Sequence, residues 1–321
     1  MQSNLIIQAE IDRCKVACRN YFEHNDLSVA FDQPIAVNVE WTPHVYARNN
    51  ERYGVDIKTE PALEPFWLDT YRINVKPNQP ALEICLAFPF EIALRLPFDT
   101  LRSFVEEELS IIVIYDDNTL DFFRYNQSQV PSRIASSIIQ QLKRKKAEML
   151  SQELRNCTRG RDYFSEYEKV CLAIFKTLFV PPLGEPVTQS STVSHLRRRD
   201  HVFPNRAREG FWHDVVKQTY KGTYVLIECK NLTTKVNVKA IDDAAKYLNK
   251  KGVGLFGLVL SRESANPNAR RLQISHWSNE EKLIVVLDDN DMLALVERYR
   301  NQQDPSVIIQ NRIDELMLGV E

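Results

Sequence analysis

Apolar residues recur along this chain at two spacings, one helical and one extended, and the change from one to the other marks out its elements. Leu5–Phe22 carries apolar residues at helical spacing. Trp67–Val75 and Ala81–Phe90 read as strands, and Pro97–Glu108 as a helix that opens on its proline. Ile111–Tyr115 and Leu120–Arg124 are two apolar runs joined by Asp116-Asp-Asn-Thr119, the composition of a tight hairpin. Asp116 and Asp117 are carboxylates, but at a hairpin tip such residues serve the turn. Pro131–Arg155 reads as one long helix with Lys143, Lys145 and Lys146 on its polar face.

The second half alternates continuous apolar strands with helices. Tyr163–Phe179 is amphipathic and carries Glu166 and Glu168; Pro181-Pro-Leu-Gly-Glu-Pro186 stops it. A strand pair follows near Val187–Val193 and His195–Phe203, then a short helix over Glu209–Tyr220 and a strand over Thr223–Lys230. Val236–Lys250 is helical, Val253–Ser261 is an apolar strand, and Ala265–Trp277 is helical in part. Lys282–Leu287 is another buried strand, with helices near Asp291–Arg300 and Ser306–Leu318. Strands apolar on both faces belong to a sheet covered on both sides. The expected division is an N-terminal α+β domain over 1–130, a bridging helix over 131–158 and a second domain over 159–321, without internal repeat or Gly/Ser-rich linker.

Composition narrows the class. Hydrophobic residues at 44 % and charged residues at 26 % fit an ordinary globular chain. No apolar run reaches membrane-spanning length and the N-terminus has no basic-then-apolar signal, so a cytoplasmic protein without membrane contact is expected. Six scattered cysteines form no metal-binding pair and suggest a reducing compartment. A net charge of −2 argues against a general nucleic-acid coat protein. Positive charge is local instead: the Lys143–Lys146 cluster, and Arg197, Arg198, Arg199 and Arg206 near a candidate acid.

That acid is Asp200, which stands upstream of the most informative stretch, Tyr224-Val-Leu-Ile-Glu228-Cys-Lys230-Asn231. Residues two apart on a strand share a face, so Glu228 and Lys230 project together and Cys229 points the other way. Taken alone, such a pair at a strand end is an ordinary surface ion pair. Here the strand before it is apolar on both faces, and burying an acid and a base at its end is costly without compensation. A metal ion on the carboxylates of Asp200 and Glu228 would compensate. Asp214 is the rival for the first acid; Asp200 is preferred because it is expected in a strand. Gly252-x-Gly254-x-x-Gly257 matches a dinucleotide fingerprint by letters, but a helix precedes it and a strand follows, the reverse of what that motif requires. His195, His201 and His213 show no ligand spacing and are read as packing or DNA-contacting groups.

The second half resembles the restriction-endonuclease-like PD-(D/E)xK nucleases, and within them modules of bacterial restriction and phage-defence proteins. The matching residues are Arg198-Arg-Asp200-His-Val-Phe-Pro-Asn205 and Tyr224-Val-Leu-Ile-Glu228-Cys-Lys230-Asn231, followed by the passage from Ala245-Lys-Tyr-Leu248 to Gly257-Leu-Val-Leu-Ser-Arg262. The usual Pro-Asp pair is replaced by three arginines before Asp200. The resemblance implies an α/β protein with a mixed central sheet flanked by helices, and Mg²⁺-dependent hydrolysis of nucleic-acid phosphodiesters, DNA first, with Mn²⁺ able to substitute. It implies a metal held by Asp200, Glu228 and the Cys229 carbonyl, with Lys230 at the attacking water and Glu166, or else Glu168, assisting. Arg197, Arg198, Arg199, Arg206, Lys143, Lys145 and Lys146 would grip phosphates. A homo-oligomer is expected, with residues 1–130 recognising substrate, a regulatory partner or an infection signal. The competing readings are a nuclease-fold module that binds without cutting, and a junction resolvase.

Overall fold

The computed structural model describes residues 2–35, 41–60, 71, 75–188 and 200–319. They form a mixed α/β protein of two compact units, residues 1–143 and 144–321, each built on its own mixed sheet. Among the described residues no helix is long and apolar enough to cross a membrane.

In the first unit, helix α1 (Gln2–His24) is followed by strands β1 (Ser28–Phe31), β2 (Val45–Arg48) and β3 (Arg52–Ile57), paired antiparallel in sequence. Strands β4 (Leu82–Pro89) and β5 (Ser110–Ile114) then add parallel to β3, with helices α2 (Phe90–Ala93) and α3 (Phe98–Glu106) between them. Strand β6 (Leu120–Phe123) closes a hairpin with β5. At its tip Asp117 Oδ1 accepts the Thr119 N–H at 2.9 Å and Asn118 takes a left-handed backbone, the turn-forming role expected of these residues. Cys14, Ala17, Cys18 and Phe22 make the buried stripe of α1, which packs on Val45, Ala47, Val55 and Ile57. Most of the expected strand Trp67–Val75 lies outside the described residues.

Helix α4 (Pro131–Asn156) is one continuous helix of 26 residues. The division between the units falls inside it, between Lys143 and Arg144, where a bridge separate from both domains was expected. Its last turns belong to the second unit: Ala147, Leu150 and Leu154 are buried in that unit's core.

In the second unit, α5 (Phe164–Phe179) is followed by β7 (Val187–Thr188), β8 (His201–Pro204) and β9 (Tyr224–Lys230), again antiparallel in sequence. A π-helix, Trp212–Thr219, lies between β8 and β9. After α6 (Val238–Ala245), strand β10 (Phe256–Ser261) pairs parallel with β9. After α7 (Pro267–Glu280), β11 (Leu283–Leu287) pairs parallel with β10. Helices α8 (Asp289–Arg300) and α9 (Ser306–Met317) complete the chain. Helix α6 is shorter than the helical pattern suggested. Gly254 adopts φ +103°, and a Cβ there would meet Lys221 O and Gly222 Cα at 2.5 Å. Gly254 thus serves close backbone packing, while a Cβ at Gly252 would meet the Asn249 side chain and one at Gly257 that of Leu248.

The sheet is covered on both faces. Val225, Ile227 and Cys229 of β9 face α5, while Leu226 faces the side of α6 and α7. The two sheets also follow the same path: a helix, three antiparallel strands, then two parallel neighbours beside the third. The sequence shows no repeat, yet the topology does.

The packing of α4 fixes where the chain can be cut. Leu150 and Leu154 each contribute about 1.5–3 kcal/mol by burial. A fragment 144–321 is expected to unfold cooperatively, whereas 155–321 loses both leucines. Its melting temperature, followed by circular dichroism, should be lower by roughly 10 °C or more.

Candidate functional site

The site lies at the carboxyl end of β9, where the parallel strands of the second sheet finish, the usual ligand position in α/β sheets. Pairing of His201 with Ile227 sets the register between β8 and β9. One residue earlier this register brings Asp200 opposite Glu228. Asp200 therefore sits in the bend just before β8, where a position within the strand was expected. The ladder has ended there, and the Asp200 side chain replaces it: Oδ2 accepts the Cys229 N–H at 2.8 Å.

Glu228 is 4 % exposed. Its Oε2 accepts a hydrogen bond from Lys230 Nζ at 3.2 Å, and its Oε1 is buried with no hydrogen-bond partner. Burial pushes the Glu228 carboxyl up to about 7; the negative Asp200 adds to the shift and Lys230 opposes it. Burial works against the Lys230 ammonium, but Glu228, Asp200 and Asp243 outweigh it and hold its pKa above the ordinary lysine value. Two acids are forced together and one of their oxygens is unsatisfied, which a cation would relieve.

The end of β9 is anchored by its surroundings. Ser261 Oγ donates to Lys230 O at 3.0 Å, and Asn231 Nδ2 donates to Thr158 O and Gly160 O at 2.9 Å each. Arg262 is buried: its guanidinium donates to Cys157 O at 2.7 Å, pairs with Asp289 at 3.2 Å and lies 4.9 Å from the Tyr167 ring centre. This clamp joins the ends of β10 and α4 to α5 and α8. A charged residue directly after an apolar strand, Val259-Leu-Ser-Arg262, was its sequence signal. Asp243, on α6, is a further charge near Lys230 that the sequence reading did not include.

Glu166 is exposed, and Glu168 is the buried carboxylate of α5. Helical phase decides this: Tyr167, Glu168, Cys171, Ile174 and Phe175 form the inward face. Glu168 Oε1 lies 3.7 Å from His201 Nε2, on the face of β8 and β9 opposite to Glu228. His201 is buried with no hydrogen bond to either ring nitrogen, and burial holds its pKa below the usual histidine value, so the ring is neutral at pH 7. Cys229 is fully buried on that same face. Its hydrogen bond with Cys171 and its burial hold the thiol protonated, leaving its main-chain carbonyl as the oxygen this residue could offer a cation.

Asp214 is not brought to the site. Its side chain is 68 % exposed on the π-helix and pairs with His213 at 2.7 Å. Arg206 is exposed past the far end of β8 from Asp200. Lys143 and Lys146 are half-buried and Lys145 is exposed, all on α4 near the division between units. Arg197, Arg198, Arg199 and His195 lie outside the described residues. Among the described residues no group of three or more His, Cys, Asp or Glu side chains is arranged to hold a metal ion. Magnesium asks less of a protein than that: one or two carboxylates suffice, with waters and phosphate oxygens filling the shell. Asp200, Glu228 and the Cys229 carbonyl are of that hard-oxygen type. The chain matches no known protein family, no characterised protein and no solved structure.

The raised Glu228 pKa has a measurable consequence. The folded state holds this proton more tightly than the unfolded chain, so the contribution is fully present below about pH 4.5 and is lost as pH rises through about 7. The full effect is at most about 3 kcal/mol. In divalent-free buffer, Glu228→Gln should leave stability near pH 5 almost unchanged and raise it near pH 8, as read by urea unfolding at both values.

Proposed function

We propose that the second unit is a restriction-endonuclease-like nuclease that hydrolyses phosphodiester bonds of nucleic acid, DNA first, with a divalent cation held by Asp200, Glu228 and the Cys229 carbonyl. The observation that carries this reading is the unpartnered, buried Oε1 of Glu228 directly beside a second acid and an amine. A purely structural ion pair does not need the second acid. The mixed sheet, with one acid on β9, the other just before the neighbouring β8 and the basic group one face-step further along β9, also supports it.

Bound Mg²⁺ would supply Lewis acidity toward a phosphate oxygen and acidify a coordinated water. The chain's own groups do the rest. Asp200, fixed by the Cys229 N–H, sets the position of the first carboxylate. Glu228 turns its free oxygen to the same place. Lys230 stays cationic, orients the attacking water and offsets charge gathering on the phosphate in the transition state. Glu168 lies behind the sheet, 3.7 Å from His201, and is not at the reacting atoms.

Supercoiled plasmid, single-stranded DNA and RNA, each incubated with Mg²⁺, Mn²⁺ or EDTA, test the reading. Cleavage should require the cation. Asp200→Ala, Glu228→Ala and Lys230→Ala should each lower the rate by at least about a hundredfold, with Lys230→Ala sparing Mn²⁺ affinity. Asp214→Ala and Glu166→Ala should cut like the parent. Undiminished cleavage by Glu228→Ala ends this reading.

A further inference from the structure

The path shared by the two sheets extends to individual residues. In the second sheet the third strand ends Ile227-Glu228-Cys229-Lys230; in the first sheet the third strand runs out through Val55-Asp56-Ile57-Lys58. Asp56 and Glu228 are each 4 % exposed. Lys58 Nζ donates to Asp56 Oδ2 at 3.1 Å, as Lys230 Nζ does to Glu228 Oε2 at 3.2 Å. The helix before each sheet covers the same face: α1 packs on Val55 and Ile57, and α5 on Ile227 and Cys229.

The register matches as well. Val45 pairs with Val55, so the residue before β2, His44, stands opposite Asp56 as Asp200 stands opposite Glu228. The middle residue of each acid-x-Lys triplet donates its N–H to that side chain: Ile57 to His44 Nδ1 at 3.1 Å, Cys229 to Asp200 Oδ2 at 2.8 Å.

The chemistry differs at one position. Where the second unit has an acid, the first has His44, with Nδ1 2.5 Å from Asp56 Oδ1. Asp56 Oδ2 accepts from Lys58 and, at 3.2 Å, from Tyr71 Oη. Oδ1 of Asp56 lies against the imidazole and Oδ2 accepts two hydrogen bonds, while Glu228 Oε1 has no hydrogen-bond partner. Among the described residues one carboxylate, Asp56, stands at this position, where the second unit has two, Asp200 and Glu228.

We infer that the N-terminal unit is a second copy of the site-bearing fold, closed to divalent cations by His44 at the first-acid position, and that restoring an acid there opens it. Each chain then carries one hydrolytic centre, a count that rests on the function proposed above; the closure itself does not.

Manganese binding to the full chain decides it, with Asp200→Asn and Glu228→Gln present in every sample so that the C-terminal acids contribute nothing. Titration with MnCl₂, read by the electron-paramagnetic-resonance signal of free Mn²⁺, should give no saturable site in this parent. Adding His44→Asp should create one site per chain, at least tenfold tighter than any residual binding, and adding Asp56→Asn should abolish it. The inference is overturned if the parent already binds an ion that Asp56→Asn removes. It is also overturned if the His44→Asp chain, with its near-ultraviolet circular dichroism retained, gains no ion. Should His44→Asp fail to fold, the parent against its Asp56→Asn derivative still decides: equal absence of binding upholds closure, and a site lost with Asp56 refutes it. Cleavage by the unaltered chain, abolished or not by Glu228→Gln, is a separate result that bears on the nuclease reading alone.

Discussion

A buried carboxylate that cannot satisfy both of its oxygens governs the second unit. Glu228 is carried into the protein by the apolar strand β9, and the same burial that completes the core raises the cost of its charge. Lys230 offsets part of that cost, while Asp200 adds to it. A chain selected for stability alone would not place a second acid opposite the first. The surrounding clamps make sense on this footing. Ser261, Asn231 and Arg262 tie down the ends of β9 and β10, so the acids cannot relax apart by fraying the strand ends. The site is held in an unfavourable arrangement by the packing around it, which is the usual relation between a reactive centre and its scaffold.

The location of the site was legible because strand chemistry is simple. Period-two alternation put Glu228 and Lys230 on one face, and the apolar run before them marked a central strand. Asp200 was found too, although it precedes β8: a side chain that takes over from the ladder stands where the strand has just begun. Helical phase was less forgiving. Glu166 and Glu168 differ by two residues, about 200° around a helix, and only the packing of Tyr167, Cys171 and Phe175 decides which faces inward. Which unit the end of α4 joins was not legible for a related reason. Its apolar stripe is continuous, and a stripe does not say which core each turn joins.

The repeated fold was hidden from the sequence altogether. Topology and register are pairing properties, set by which strands lie side by side, and many apolar sequences satisfy the same pairing. What survives at the residue level is the acid-x-Lys triplet at the end of the third strand, and three letters are too few to reveal a repeat without the sheet around them. Asp56 could not be singled out because its strand, Arg52-Tyr-Gly-Val-Asp-Ile57, has no continuous apolar run, and His44, its partner, is separated from it by a full hairpin.

The pair of sites separates what a backbone dictates from what a side chain decides. Register alone brings two residues face to face at the sheet's edge and offers one strand N–H to the first of them. If that residue is an imidazole, the acid opposite it has close partners on both oxygens: His44, Lys58 and Tyr71 all reach Asp56. If it is a carboxylate, the same geometry leaves negative charge in excess and an oxygen without a donor, as at Glu228. The first arrangement favours stability and the second stores a demand for a cation. Under the proposed closure, one residue, at the point where a strand begins, decides whether this fold holds a closed ion cluster or an open centre.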